Sequence, residues 1–268
     1  MLLGFAVGAF GTLVGAGGGF VLVPVLLLVY PDKNPEQITA ISLLVVCANA
    51  ASGSLAYGLQ KRIDFRSAWW FIIGTFPGAV AGAIAVGYVP RRLFDAIFAL
   101  LLAGVGLYLL IRRHNQAIVP PVQGRGVVRR TIRDIHGNTF TYSYHLWKGV
   151  LISTAVGFIS SLLGIGGGII HVPIMATMLH FPVHIAAATS HFVLMFMAAE
   201  GTAVHFAQGV LGWDRALAEA LLLAAGAIPG AQVGARLAHR LHGGIILRAL
   251  AGALILVAVR LGLKAAGV

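Results

Sequence analysis

The sequence predicts an all-α polytopic membrane protein made of two homologous repeats. Three observations carry this. The 268-residue chain is 59% hydrophobic and only 10% charged, whereas a soluble domain carries about 25% charged residues. Several apolar stretches approach the roughly 20 residues that cross a bilayer as a helix. A glycine cluster, Gly15-Ala16-Gly17-Gly18-Gly19, returns as Gly164-Ile165-Gly166-Gly167-Gly168, and each copy is followed at the same distance by a proline, Pro24 and Pro173.

The first element, residues 1–30, is apolar throughout and broken at the glycines. Glycine inside a helix costs roughly 1 kcal/mol relative to alanine, so the cluster predicts unwound backbone at membrane depth. Such backbone is tolerated only where it is buried in protein or lines a cavity. Met1-Leu2-Leu3-Gly4-Phe5 lacks the basic region of a signal peptide and reads as the start of this membrane segment. A turn at 31–36 leads to a second span, 38–59, which ends at Lys61 and Arg62. Asp64, Arg66 and the interfacial pair Trp69-Trp70 introduce a third span, 68–88. Pro90-Arg91-Arg92 marks the next turn, and a fourth span covers 93–111.

The stretch 112–146 differs. It is basic, contains Pro120-Pro121, and alternates in places between Val127 and Tyr144 around His136-Gly137-Asn138. That is a β-hairpin signal; the competing reading is a solvated loop cap. The second half follows, with a broken segment at 147–179 and spans at 184–207, 216–237 and 245–263. The chain therefore divides into a first transmembrane repeat (1–111), a basic cytoplasmic loop (112–146) and a second repeat (147–268).

The repeat is supported beyond the glycine clusters. Gly53 and Gln60 correspond to Gly201 and Gln208, and Gly74, Pro77-Gly78 and Gly82 correspond to Gly226, Pro229-Gly230 and Gly234, at nearly constant offset. Glycines four residues apart make a flat stripe that lets helices approach closely in lipid. The stripe can pack repeat on repeat or subunit on subunit, which leaves a homodimer open. If each broken segment crosses the bilayer, there are eight spans and parallel repeats. If each is re-entrant, six spans remain and the repeats are inverted. In both cases loops 60–67 and 112–148 share the more basic side, which should be cytoplasmic.

The net charge of +11 does not point to nucleic acid, because the basic residues cluster in short loops between spans, where they set orientation. Cys47 is the single cysteine, so neither an intramolecular disulfide nor a thiolate metal site is expected. The chain has no Gly-Lys-Ser/Thr phosphate loop, and nothing in it calls for a cofactor.

Gly-x-Gly-Gly-Gly followed by Val23-Pro24 or Val172-Pro173, a Ser-bearing second span (Ser42; Thr189-Ser190) and Pro-Gly-Ala-x-x-Gly in the third, all present twice, resemble the TauE/SafE family of sulfite-exporter-like membrane proteins. The resemblance covers nearly the whole chain apart from the central basic loop. It implies a multi-pass inner-membrane permease for small sulfur-containing anions such as sulfite or organosulfonates.

The residues give that expectation a physical form. Helix N-termini exposed at an unwound break carry unpaired N–H groups and the positive end of the helix dipole. Two breaks meeting at the midplane would hold an anion without a buried Lys or Arg. Gly17, Gly18, Gly19, Gly166, Gly167 and Gly168 are thus the first-choice substrate-binding residues, acting through backbone; the bland alternative is close packing alone. Ser42, Asn49, Thr189 and Ser190 are candidate hydrogen-bond donors to the same anion, with helix–helix bonding or back-bonding as the alternative.

The second half is richer in titratable groups: His171, and His184, His191, Glu200 and His205 along one span. Intramembrane acids and histidines are functional candidates by default. His171 and His191 join the substrate-binding set, and Glu200, His191 and His205 are the candidate proton carriers. The alternative places His184 and His205 near the headgroups and His171 and His191 as satisfied core groups. Two other readings compete with anion transport: a divalent-metal transporter or channel using the His and Glu residues, and a membrane enzyme with Glu200 and a histidine as acid/base pair.

Overall fold

The computed structural model describes residues 1–111, 126–213, 215–238, 248 and 251–260. The described residues form helices α1 (Leu2–Leu13), α2 (Gly19–Val29), α3 (Pro35–Leu59), α4 (Phe65–Ala85), α5 (Arg91–Ile111), α6 (Leu146–Leu163), α7 (Gly168–Thr177), α8 (Val183–Ala207), α9 (Arg215–Ala238) and α10 (Ala251–Arg260). A 3-10 turn at Val86–Tyr88 separates α4 from α5. Five helices, α3, α4 with its 3-10 turn, α6, α8 and α9, are long and apolar enough to cross a membrane, and α1, α2, α7 and α10 are shorter apolar helices. The expected span at 245–263 falls partly outside the described residues, as does Pro120-Pro121.

Local sequence starts and stops these helices as expected. Asn34 caps α3 by accepting from the Gln37 N–H at 2.8 Å, with Pro35 at the first helical position. Asp64 caps α4 by accepting from the Ser67 N–H at 3.1 Å. Large apolar side chains such as Leu55, Ile73, Phe76, Leu100 and Leu151 are exposed on helix faces. They form the surface a bilayer would solvate, with Trp69, Trp70 and Trp147 exposed at one rim.

The glycine stripes are consumed inside the chain. Gly74, Gly78 and Gly82 of α4 lie against the Val150, Thr154 and Phe158 carbonyls of α6. Gly226, Gly230 and Gly234 of α9 lie in the same way against the Met1, Phe5 and Ala9 carbonyls of α1. At each position an added methyl would overlap backbone. Between the two seams α3 and α8 run antiparallel: Gly53 packs on His191, the Cys47 thiol reaches the Met195 carbonyl at 3.7 Å, and Gly201 packs on Leu43.

Each broken pair turns back on itself. The strand that leads into α6 carries Tyr142 and Tyr144, and Phe181, just after α7, stacks on both, with ring centroids 4.3 and 5.0 Å away. Both ends of α6–α7 therefore lie on the same side. On the opposite side, Lys33, just after α2, pairs with Glu219 in the second turn of α9, and Arg91 holds the Leu27 and Lys33 carbonyls at 3.0 and 2.7 Å. Met1 packs on the same half of α9, so both ends of α1–α2 lie there.

The described part of the central loop is an antiparallel hairpin, β1 (Val127–Arg133) and β2 (Thr139–His145), with Val127 opposite His145 and Arg133 opposite Thr139. This corrects the all-α description, which holds for the helical body only. The hairpin is also docked rather than solvated: Tyr142 and Tyr144 are 6% and 1% exposed. Alternation was legible, but docking was not, because the partners of these tyrosines are far away in sequence. The turn is organised by Asp134, which accepts from the His136 and Asn138 N–H groups at 2.9 Å each and pairs with Arg62 at 3.1 Å.

Burial opposes ionisation of Asp134, but hydrogen bonds from the Asn138 and Arg62 side chains and from backbone N–H groups outweigh it, and its carboxyl is held below the usual range. A depressed carboxylate stabilises the fold above its unfolded pKa of about 3.9 and loses that contribution as pH falls through the lower folded value. Hydrogen exchange of residues 127–145 is therefore expected to accelerate as pH drops below about 4. Asp134→Asn should exchange faster at pH 7 and show a flatter acid profile; an unchanged profile would move the acid sensitivity elsewhere.

Candidate functional site

The two glycine breaks meet. Gly18 caps α2 with φ 82° and Gly167 caps α7 with φ 78°, conformations that only glycine adopts freely. Each break closes a tight turn: the Ala16 and Gly17 N–H groups donate to the Gly11 carbonyl at 2.7 and 3.1 Å, and the Ile165 N–H donates to the Ser160 carbonyl at 3.1 Å. Contact between the breaks is reciprocal. A methyl on Gly19 would lie 2.7 Å from the Gly164 and Ile165 oxygens, and one on Gly168 would lie 2.5 Å from the Ala16 Cα. Gly17 and Gly166 both abut Val46 and Leu194, so α3 and α8 wall the crossing.

Beside the second break is a cavity lined by Gly166, Gly167, Gly168, His171, Ser190, Thr75, Val156, Val193, Leu194 and Met197. Its 160 Å³ of empty space is too narrow for a water-sized sphere. Among the described residues, no Lys, Arg, Asp or Glu lines it. The first turn of α7 opens into it; there the Gly168 N–H donates to the Gly166 carbonyl at 3.0 Å, and the Ile170 and His171 N–H groups donate to the Gly167 carbonyl at 3.0 and 2.8 Å, so an anion at this end would meet the helix dipole more than free donors. Ser190 is 1% exposed and its hydroxyl makes no hydrogen bond. His171, 2% exposed, is oriented by Ser153. The Ser153 hydroxyl donates to the Gly149 carbonyl at 2.7 Å, so it accepts from the His171 Nε2–H at 3.2 Å.

The first break is filled instead. Asn49 Nδ2 donates to the Gly17 carbonyl at 3.1 Å, and Thr12 donates to Asn49 Oδ1 at 3.2 Å. Thr12 Oγ1 then accepts from His191 Nε2–H at 3.2 Å. Tyr57 closes the cluster, donating to the Thr12 carbonyl at 2.6 Å and meeting the His191 ring edge-on at 5.8 Å. The structure thus brings Gly17, Gly18, Gly19, Asn49 and His191 to one break and Gly166, Gly167, Gly168, His171 and Ser190 to the other.

Other expected residues are placed differently. Ser42 is occupied, donating to the Gly164 carbonyl at 2.7 Å. Thr189 points to the hairpin side and accepts from the Asp64 N–H at 3.0 Å. Glu200 and His205 do not line the cavity. His205, in the last turn of α8, is fully buried in the protein, and neither ring nitrogen has a hydrogen-bond partner among the described residues. Among the described residues, no three His, Cys, Asp or Glu side chains converge on a point where a metal could sit. Sequence reasoning missed Thr12, Tyr57, Ser160 and Ser161. Thr12 and Ser161 each stand three residues before the first glycine of a break, a shared register that would have marked both. Ser160 and Ser161 are fully buried with unbonded hydroxyls.

Residues 1–261 match the family model described as Sulfite exporter TauE/SafE. The chain belongs to the TauE/SafE family. Among its TauE/SafE-like relatives, the probable membrane transporter protein YunE of Bacillus subtilis (strain 168) is 32% identical over 97% of this chain and 95% of its own length. The probable membrane transporter protein YfcA of Escherichia coli (strain K12) is 24% identical over 84% and 74% respectively. A probable membrane transporter protein of Haemophilus influenzae is 26% identical over 84% and 78%. No solved structure matches the chain. This TauE/SafE chain is a multi-pass membrane protein whose named relatives are transporters.

Proposed function

We propose that the protein is a secondary transporter of small anions, with sulfur oxyanions such as sulfite and short organosulfonates as its substrate class. The anion binds at the α7 N-terminus, between the two glycine-broken segments near the membrane midplane. One observation carries this reading: an uncharged cavity beside the second break receives both the first turn of α7 and the hydroxyl of Ser190, which has no hydrogen-bond partner among the described residues. N–H groups and a helix dipole in a water-excluded site suit an anion, and a hydroxyl supplies a further donor.

In this reading the two halves are inverted repeats. The α6–α7 and α1–α2 pairs are re-entrant from opposite sides, and six helices cross the membrane. The side bearing the hairpin, Lys61, Arg62 and Arg66 faces the cytoplasm by its basic residues, and the membrane is the cell inner membrane. Proton coupling falls to His191 and His205, the buried histidines of α8, and to the half-buried Glu200 of the same helix. Both glycine stripes are used within the chain, so a homodimer would have to use other faces.

The test is thermal shift of the detergent-purified protein with sulfite, sulfate, a short organosulfonate and zinc. Ligand at 100 times its Kd should stabilise by about 2.7 kcal/mol. Ser190→Ala should weaken the sulfite effect about tenfold, since a hydrogen bond to a charged group contributes about 1.5–3 kcal/mol. Equal stabilisation of wild type and Ser190→Ala would remove the anion from this cavity. Stabilisation by zinc alone, abolished in His191→Ala, would overturn the anion reading.

A further inference from the structure

The hairpin does more than join two halves. It seals the α7 cavity on its own side through two layers. The inner layer is aromatic. Phe71 meets the His171 ring edge-on at 5.6 Å, and Tyr144 and Phe181 lie beyond Phe71 at 5.9 and 6.1 Å. His171 lines the cavity, so these rings stand between it and the hairpin side. The outer layer is polar and centres on Asp64, itself 4% exposed. Its carboxylate accepts from the Tyr142 hydroxyl at 2.7 Å and from Ser67, and pairs with Arg130 at 3.5 Å. The Tyr144 hydroxyl donates to Ser67 at 2.5 Å. The Asp64 N–H meanwhile donates to Thr189, the neighbour of Ser190.

Burial and the nearby Asp64 carboxylate keep the Tyr142 phenol above its ordinary range, and burial pushes Tyr144 up to about 12. Both therefore remain donors. At this part of the hairpin, a few side-chain bonds made to one buried carboxylate and its neighbour attach it to the body. The hairpin's own backbone ladder is self-contained, and its turn is tied separately to the body by the Arg62–Asp134 pair and by the Ile135 N–H, which donates to the Gln60 carbonyl at 3.2 Å.

We infer that the hairpin is the lid over the basic-side exit of the substrate path, and that Asp64, Tyr142 and Arg130 form its latch. This rests on the anion-transport reading for its purpose, but its geometry stands apart from any substrate. When the latch releases, the hairpin carries Tyr142 and Tyr144 away from Phe181, and His171 and Ser190 become reachable from that side. Arg130, freed from Asp64, then presents a cation at the mouth to an arriving or leaving anion.

The test uses Ser190→Cys in a Cys47→Ala background. Purified protein is reconstituted in vesicles, and labelling by a membrane-impermeant thiol reagent is timed with the hairpin side facing the reagent. Tyr142→Phe and Arg130→Gln each remove one latch bond, and Asp64→Asn removes the charge while keeping a good helix cap. Tyr142→Phe and Asp64→Asn are each expected to raise the labelling rate about tenfold, the effect of losing one hydrogen bond to a charged partner, and Arg130→Gln, which removes an ion pair, to raise it by a smaller factor. Labelling from the opposite side should not change. The conservative Tyr142→Phe keeps the ring contacts, so it separates latch loss from misfolding. Rates unaltered by all three variants, or raised equally on both sides, would overturn the lid. The sulfite response is read separately, by thermal shift of the protein with Ser190 intact. Its absence counts against the anion site and leaves the latch result standing.

Discussion

Gly168→Ala is expected to abolish anion-induced stabilisation and lower the melting temperature sharply. Both effects trace to one methyl. At this position the new Cβ would lie 2.5 Å from the Ala16 Cα and closer still to the Gly15 carbonyl. Both are backbone atoms of the other break, so no side chain can swing aside. Overpacking of this kind costs about 1–3 kcal/mol, and more where nothing relaxes. Gly168 is the first residue of α7, where alanine alone would improve helix propensity by about 1 kcal/mol. Any loss therefore reports the contact and not the helix. Gly19→Ala is the reciprocal case, with the methyl 2.7 Å from two carbonyl oxygens, and should behave alike. Wild-type melting and full sulfite response in both variants would mean that the breaks do not meet in the membrane.

The second large effect concerns the seams. Gly78→Ala and Gly230→Ala should destabilise by comparable amounts, about 1–3 kcal/mol each. Gly104→Ala should instead be neutral or stabilising by up to about 1 kcal/mol. Gly78 lies against the Thr154 carbonyl and Gly230 against the Phe5 carbonyl, whereas nothing lies within 4 Å of a methyl at Gly104. The same substitution thus changes sign with its surroundings. Gel-filtration recovery after a heating series on the detergent-solubilised protein would read this out as an operational stability. Unequal losses at Gly78 and Gly230 would argue that the two seams do not support the body equally. A loss at Gly104 as large as at Gly78 would show that glycine matters there for a reason other than packing.

The glycine breaks illustrate how far sequence reaches. Their unwinding was legible because four glycines in five residues are a local fact about backbone cost. Which break stays open was not. Asn49 and His191 come from α3 and α8, and Thr12 from α1, and only their convergence fills the first break. Ser190 and Thr189 look interchangeable in the chain, yet one faces the cavity and the other the hairpin side. Neighbours on a helix are turned about 100° from each other, and the sequence does not state what lies at each angle.

By itself, the sequence determined that this chain is a multi-pass helical membrane protein of the TauE/SafE family, with glycine-broken segments in matching places. These follow from composition and local backbone cost, which act within a few residues. The tertiary structure alone decided that each broken segment turns back, that the glycine stripes bind α4 to α6 and α9 to α1, and that the hairpin is docked through Asp64. Each of those depends on groups far apart in the chain, such as Asp64 with Tyr142 at a separation of 78. Bonds over such separations exist only once the helices have assembled, because burial and side-chain direction in the packed body select the partners.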